Sequence, residues 1–121
     1  MKKVVKFGGS SLASAEQFRK VGKIILADET RRYVVPSAPG KLFDGDIKVT
    51  DMLYACYAKA EKKEDITASI AAIRERYMEI INGLGLSLSL DDQFEVISEN
   101  FKKLAGSNYA ASRGEYLNGI I

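Results

Sequence analysis

The sequence predicts an α/β fold that opens with a β-α-β unit and continues as helices. Two observations carry this. Val4 to Phe7 and Tyr33 to Val35 are short apolar runs, stopped by Gly8-Gly9 and by Pro36, with a helical pattern between them. From Ile66 onward, apolar residues recur instead every three or four positions. The chain has 121 residues, so a prior of about 150 residues per domain gives one domain at most. A chain of this size hides roughly two-thirds of its unfolded surface, enough for a real core.

The first run, Val4 to Phe7, reads as a short buried strand. Ser14-Ala15-Glu16-Gln17 then forms a capping box: the serine oxygen accepts from the amide three residues on, and Gln17 reaches back. Phe18, Val21 and Ile25 give the following helix one apolar face. Arg31-Arg32 reads as a polar break before the second strand. Pro36 to Lys48 is a loop holding both prolines, Gly40, Gly45, Asp44 and Asp46. A second helix is expected from Thr50 or Asp51 to about Lys62, with Leu53 and Tyr57 inward. Ile66, Ile70, Ile73, Tyr77, Ile80, Ile81 and Leu84 mark a third, ended at Gly83 and Gly85. Ser89 is the expected cap of a fourth, with Phe94, Ile97, Phe101 and Leu104 as its buried stripe. Gly106-Ser107 breaks the pattern, and a last helix runs from about Tyr109. Parallel sheets want cover on both faces. Two parallel strands alone therefore read as the front end of a larger α/β domain.

Composition excludes several classes of function. Hydrophobic residues are 46% and charged residues 28%, which is ordinary globular usage and excludes a disordered or collagen-like chain. Basic and acidic residues number 18 and 16, a net charge of +2. That makes no electrostatic case for nucleic acid or for an anionic membrane. No apolar run is long enough to cross a membrane, and Met1 to Lys6 does not read as a signal peptide. The single cysteine, Cys56, allows no internal disulfide, and a reducing, cytoplasmic setting is expected. The chain has no histidine, which removes histidine-dependent triads and the common zinc sites.

Four segments carry candidate chemistry. Lys6-Phe7-Gly8-Gly9-Ser10-Ser11 joins the first strand to the first helix. Glycines let backbone amides approach a phosphate closely, and Lys6 places a fixed charge where a phosphoryl group would move. The segment is neither a Walker loop nor a dinucleotide turn. Ser37-Ala38-Pro39-Gly40-Lys41 follows the second strand. Ligands sit beyond the carboxyl ends of parallel strands, so these two segments should converge. The third is Lys48-Val49-Thr50-Asp51, where Thr50 and Asp51 read equally as helix caps. The fourth is Ser112-Arg113-Gly114-Glu115. A glycine inside a helix costs about 1 kcal/mol against alanine, which suggests close approach by a neighbour or ligand. Each segment alone also has a plain reading as a turn, a cap or an exposed helical face. Asp44 and Asp46 read as solvated loop acids rather than a metal site, and Cys56 as buried and inert.

Taken in order, Lys6 to Ser11, Val35 to Lys41, Val49 to Leu53 and Ser112 to Leu117 resemble the start of aspartate kinase over essentially the whole chain. The resemblance implies an amino-acid kinase-like α/β/α sandwich around a parallel sheet, with residues 1–121 its N-terminal portion. The nucleotide-base half would follow Ile121, and regulatory ACT domains would follow that. The implied reaction moves the ATP γ-phosphate to the side-chain carboxylate of L-aspartate, giving 4-phospho-L-aspartate on the route to lysine, threonine and methionine. Mg²⁺ would accompany the nucleotide. By position, the resemblance makes Lys6 the catalytic charge. Lys6, Phe7, Gly8, Gly9 and Ser10 become the ATP-phosphate cradle, and Ser37, Thr50 and Glu115 the aspartate site. Glu115 would hold the α-ammonium, and Arg113 would support its helix. No metal-ligating side chain is implied within the chain.

Two other readings compete. One is a related amino-acid kinase acting on glutamate, which shares the Lys-Phe-Gly-Gly-Ser start but not the Gly-Glu helix. The other is a short non-catalytic protein that binds a ligand or a partner, a second copy included, through exposed sheet edges. In either kinase reading the chain alone is expected to be inactive.

Overall fold

The computed structural model describes residues 2–121. Strand β1 (Lys3–Phe7) is followed by a 3₁₀ turn (Gly9–Leu12), helix α1 (Ala15–Leu26) and strand β2 (Arg31–Pro36). Helices α2 (Val49–Glu61), α3 (Thr67–Gly83), α4 (Asp91–Lys102) and α5 (Ser107–Ile120) complete the chain. The expected β-α-β unit followed by helices is present.

β1 and β2 pair in parallel, with Lys6 opposite Val35 and Phe7 opposite Pro36. Their carboxyl ends therefore lie side by side. The Ser37 amide donates to the Phe7 carbonyl at 3.0 Å and carries the pairing one step past the strands. Ser14 caps α1 as expected, its hydroxyl accepting from the Gln17 amide at 3.4 Å. Where α1 hands over to β2, Asp28 accepts from Lys3 at 2.8 Å and from Thr30, which ties the turn to β1.

The core lies among the helices. Leu53 and Cys56 of α2, Ile73, Tyr77 and Ile81 of α3, Phe101 of α4 and Leu117 of α5 are fully buried. Tyr57 and Phe101 meet edge to face at 5.4 Å, a favoured aromatic geometry. The four helices thus assemble around a shared apolar centre, with the start of α2 and the side of α5 meeting the segment that leaves β2.

Several expectations are corrected. β1 is not buried: Val4 is 69% exposed, as are large parts of Val34 and Val35 on β2. Among the described residues each strand has a single neighbour, so half of every ladder faces outward. Arg31 and Arg32 are not a break but the first residues of β2. Arg31 pairs with Lys3, because an open ladder tolerates charged side chains that point to water. Leu104 is not part of the α4 stripe. It lies beyond the helix with φ +57° and is half exposed. Leu90, not Ser89, occupies the α4 N-cap position, although the Ser89 hydroxyl accepts from the Asp91 amide at 3.3 Å. Lys48, not Thr50 or Asp51, is the N-cap of α2, and no side chain caps that end. Helix α5 begins at Ser107, two residues before the expected start.

Candidate functional site

The two loops that leave β1 and β2 touch through bare backbone. The Gly40 amide donates to the Gly9 carbonyl at 2.8 Å. A Cβ on Gly40 would stand 2.6 Å from the Gly9 carbonyl carbon and 2.8 Å from the Ser10 nitrogen. A Cβ on Gly9 would stand 3.0 Å from the Ala38 oxygen. Gly40 has no room for a Cβ, and Gly9 has room for one only if the facing backbone gives way. The segment between them, Ala38, Pro39 and Gly40, is buried. The Val49 amide donates to Pro39 at 3.1 Å, so α2 starts directly from this contact.

Helix α5 closes on the same point. Gly114 faces Ala38, where a Cβ would meet the alanine Cβ at 2.5 Å. The glycine inside the helix is thus explained by a close neighbour. Buried Tyr77 donates its hydroxyl to the Gly114 carbonyl at 2.9 Å, and Asn118 donates its side-chain amide to the Ser37 carbonyl at 2.6 Å. Arg113 lies between the rings of Tyr109 and Tyr116, 4.5 and 4.7 Å from their centroids. It also donates to the Ser112 hydroxyl. Its charge is engaged within α5, and Glu115, two residues on, has no ion-pair partner among the described residues.

The result is a cleft of about 190 Å³ lined by Gly9, Ser37, Gly40, Lys48, Thr50 and Glu115, among others. Three of the sequence-predicted residues, Ser37, Thr50 and Glu115, come from three distant segments and meet here, with Gly9 beside them. Lys6, Gly8 and Ser10 are exposed next to this rim but outside its lining. Phe7 turns the other way. Its ring lines a larger, apolar cleft of about 440 Å³ between α1, the sheet and the end of α5.

The rim carries both signs of charge. Glu115 presents a carboxylate from α5. Lys48 presents an ammonium at the amino end of α2, whose dipole also favours an anion. Ser37 and Thr50 add hydroxyls that donate or accept. Such a rim suits a zwitterion. Among the described residues no group of three or more Asp, Glu, Cys or His side chains could hold a metal ion.

Lys48, the first residue of the third segment but given no role by the sequence, stands in the cleft wall. Arg76 of α3 reaches back to the loop at residues 41–47, donating to the Gly40 and Ile47 carbonyls at 2.8 Å each. Asp46 lies 3.7 Å from it and accepts from the Leu42 and Ile47 amides at 2.9 and 2.8 Å. Those amides hold its carboxyl below the usual carboxylate range. The loop acid that read as solvated is therefore a loop staple. The sequence carries no signal for Arg76 beyond a charge next to a buried stripe.

The amino acid kinase family model matches residues 1–118. Aspartokinase 3 of Bacillus subtilis is 45% identical over 100 residues, covering 78% of this chain and 22% of that protein. A bifunctional aspartokinase/homoserine dehydrogenase of Daucus carota is 35% identical over 74 residues, covering 60% of this chain and 7% of that protein. The crystal structure of Clostridium acetobutylicum aspartate kinase superposes with a TM-score of 0.93 at 45% identity, over 99% of this chain and 28% of that one. Escherichia coli aspartokinase III, solved with aspartate and ADP, superposes with a TM-score of 0.72 at 23% identity, over 99% of this chain and 27% of that one, and shares the fold. The chain therefore spans 22–28% of the length of these microbial relatives. It belongs to the amino acid kinase family, where it is similar to the N-terminal part of aspartate kinase.

Proposed function

We propose that this chain is the N-terminal part of an aspartate kinase catalytic domain and supplies the aspartate site and part of the phosphate cradle. The carrying observation is the meeting of Ser37, Thr50 and Glu115 in one cleft beside Gly9. In this reading Glu115 holds the α-ammonium of L-aspartate, and Thr50 and Ser37 orient the rest of the molecule. Gly8, Gly9 and Ser10, with the Phe7 backbone, cradle the ATP phosphates. Lys6 offsets the charge on the γ-phosphoryl group as it moves.

The side-chain carboxylate of aspartate attacks the γ-phosphorus, and the bond to the bridging oxygen of ADP breaks. The product is 4-phospho-L-aspartate. No base is needed, because a carboxylate with an ordinary pKa of about 3.9 is already ionised near pH 7. Positioning and positive charge are what phosphoryl transfer demands of a protein, so a chain without histidine suffices for this half of the site. In this reading Mg²⁺ comes with the nucleotide. The nucleotide-base half and any regulatory ACT domain belong to a longer polypeptide. The product's role in lysine, threonine and methionine synthesis and a cytoplasmic setting go with the same reading.

The test is titration of ¹⁵N-labelled chain with L-aspartate and with L-glutamate. Aspartate is expected to move the amide signals of Gly9, Ser37, Thr50 and Glu115, and glutamate to move them less. Glu115→Gln should weaken aspartate at least tenfold, the equivalent of about 1.4 kcal/mol. Equal responses to both amino acids would sink the aspartate assignment. With ATP, Mg²⁺, aspartate and hydroxylamine the chain alone should form no aspartyl hydroxamate. A stoichiometric hydroxamate signal would overturn the division of the site between this segment and the rest of the domain.

A further inference from the structure

The loop at residues 41–47 separates the two walls of the cleft in sequence. Gly40 at its start packs on Gly9, and Lys48, Val49 and Thr50 at its end begin α2. The loop itself is mostly exposed, with Phe43 and Ile47 each more than half accessible. It has no apolar anchor of its own, so its shape depends on polar contacts. Those contacts converge on one side chain of α3.

Arg76 is only 13% exposed along its side chain. One guanidinium nitrogen reaches the Gly40 carbonyl and the other the Ile47 carbonyl, at 2.8 Å each. The fork thereby bridges the first and last turns of the loop. Asp46 closes the arrangement from inside, facing Arg76 at 3.7 Å and holding the Leu42 and Ile47 amides. Charged hydrogen bonds of this kind are the strong ones, and the planar fork makes them directional. A lysine in the same place would reach one carbonyl at a time.

We propose that Arg76 is the positioning residue of the aspartate cleft. It clamps Gly40 and Ile47 so that the Gly40 wall stays against Gly9 and the Lys48–Thr50 wall faces Ser37 and Glu115. It touches no substrate. The assignment rests on the aspartate reading of the cleft, and its test separates the two.

The experiment uses the 121-residue chain and the variants Arg76→Met, Arg76→Lys, Asp46→Ala and Arg74→Met. Arg74 is the control: it lies on the same helix and pairs with exposed Asp91, away from the cleft. Amide hydrogen exchange and aspartate affinity are read side by side. Arg76→Met is expected to speed exchange at Gly40, Leu42 and Ile47 at least fivefold, to leave the buried amides of Ile73, Phe101 and Leu117 unchanged, and to weaken aspartate at least fivefold. Arg76→Lys should recover part of both effects, and Arg74→Met should show neither. Asp46→Ala removes the inner half of the clamp without touching α3, so it should follow Arg76→Met in direction even if the arginine variant folds poorly.

Loop amides that exchange at the wild-type rate in both Arg76→Met and Asp46→Ala would overturn the clamp. Faster loop exchange with wild-type affinity would overturn its role in positioning. If the wild-type chain binds no aspartate, the functional reading fails, and the exchange data still decide whether Arg76 orders the loop.

Discussion

Replacing Gly40 by alanine tests the contact on which the cleft is built. The new methyl would stand 2.6 Å from the Gly9 carbonyl carbon and 2.8 Å from the Ser10 nitrogen. Both neighbours are main chain, so neither can rotate away. The loops must part, which strains the 2.8 Å bond from the Gly40 amide to Gly9. Overpacking of this kind costs about 1–3 kcal/mol, and the loss of the hydrogen bond about 1 kcal/mol more. Alanine also restricts the unfolded chain, which returns about 0.4–1 kcal/mol. The packing cost wins, and the net loss comes to about 1–3 kcal/mol. At roughly 4 °C per kcal/mol for a domain of this size, the melting temperature should fall by about 4–12 °C.

Gly22→Ala is the matched control. Gly22 lies inside α1 with nothing near its would-be Cβ, so alanine should stabilise the chain by up to about 1 kcal/mol through helix propensity alone. Urea unfolding followed by circular dichroism reads both variants, and aspartate titration reads the cleft. Gly40→Ala is expected to lose stability and affinity together, and Gly22→Ala to lose neither. A Gly40→Ala chain with the wild-type urea midpoint would refute the steric argument. Reduced stability with unchanged affinity would refute the idea that the Gly9–Gly40 contact shapes the binding cleft.

Tyr77 is completely buried, and burial pushes its phenol far above the ordinary range. Its raised folded pKa keeps its contribution intact below about pH 10, the unfolded value. That contribution is lost as pH rises further, because only the unfolded chain then ionises. Tyr77→Phe should remove this alkaline slope. It should also cost about 1 kcal/mol near neutrality by removing the hydrogen bond to the Gly114 carbonyl, both readable in urea unfolding between pH 7 and 11. Burial also pushes the Cys56 thiol up to about 11, so a thiol reagent at pH 8 should label it only as fast as the chain opens. Labelling at the rate of a free thiol without denaturant would show that the α2 core is not closed.

The helices were legible because their signal is local. Ile73, Tyr77 and Ile81 step along one face whatever surrounds them, and all three are buried. The burial of a strand is not local. Val4 looks like core from its neighbours in sequence, yet it is 69% exposed because exposure depends on what lies across the sheet. Arg31 and Arg32 were misread for the related reason that pairing with β1, not side-chain polarity, sets where β2 begins. Leu104 fits the helical spacing, but a residue at φ +57° has already left the helix.

The site divides along the same line. Ser37, Thr50 and Glu115 sit in short motifs, and parallel strands that end together bring two of their loops to one place. That geometry follows from topology, so it could be anticipated. What holds the loops there spans long separations. Arg76 meets Gly40 across 36 residues, and Asn118 meets Ser37 across 81. An arginine on a helix is by default a surface charge, and nothing in its local sequence says which carbonyl it will find. The glycines are the intermediate case. Gly9 and Gly40 read as loop residues beyond the strand ends, and Gly114 as a helical glycine that suggests a close neighbour or ligand. Their shared property is the missing Cβ, which lets the two loops touch each other and α5 touch Ala38. A glycine costs a helix about 1 kcal/mol, and a cost of that size at Gly114, next to an ionisable residue, is the one local sign that a distant segment must come close.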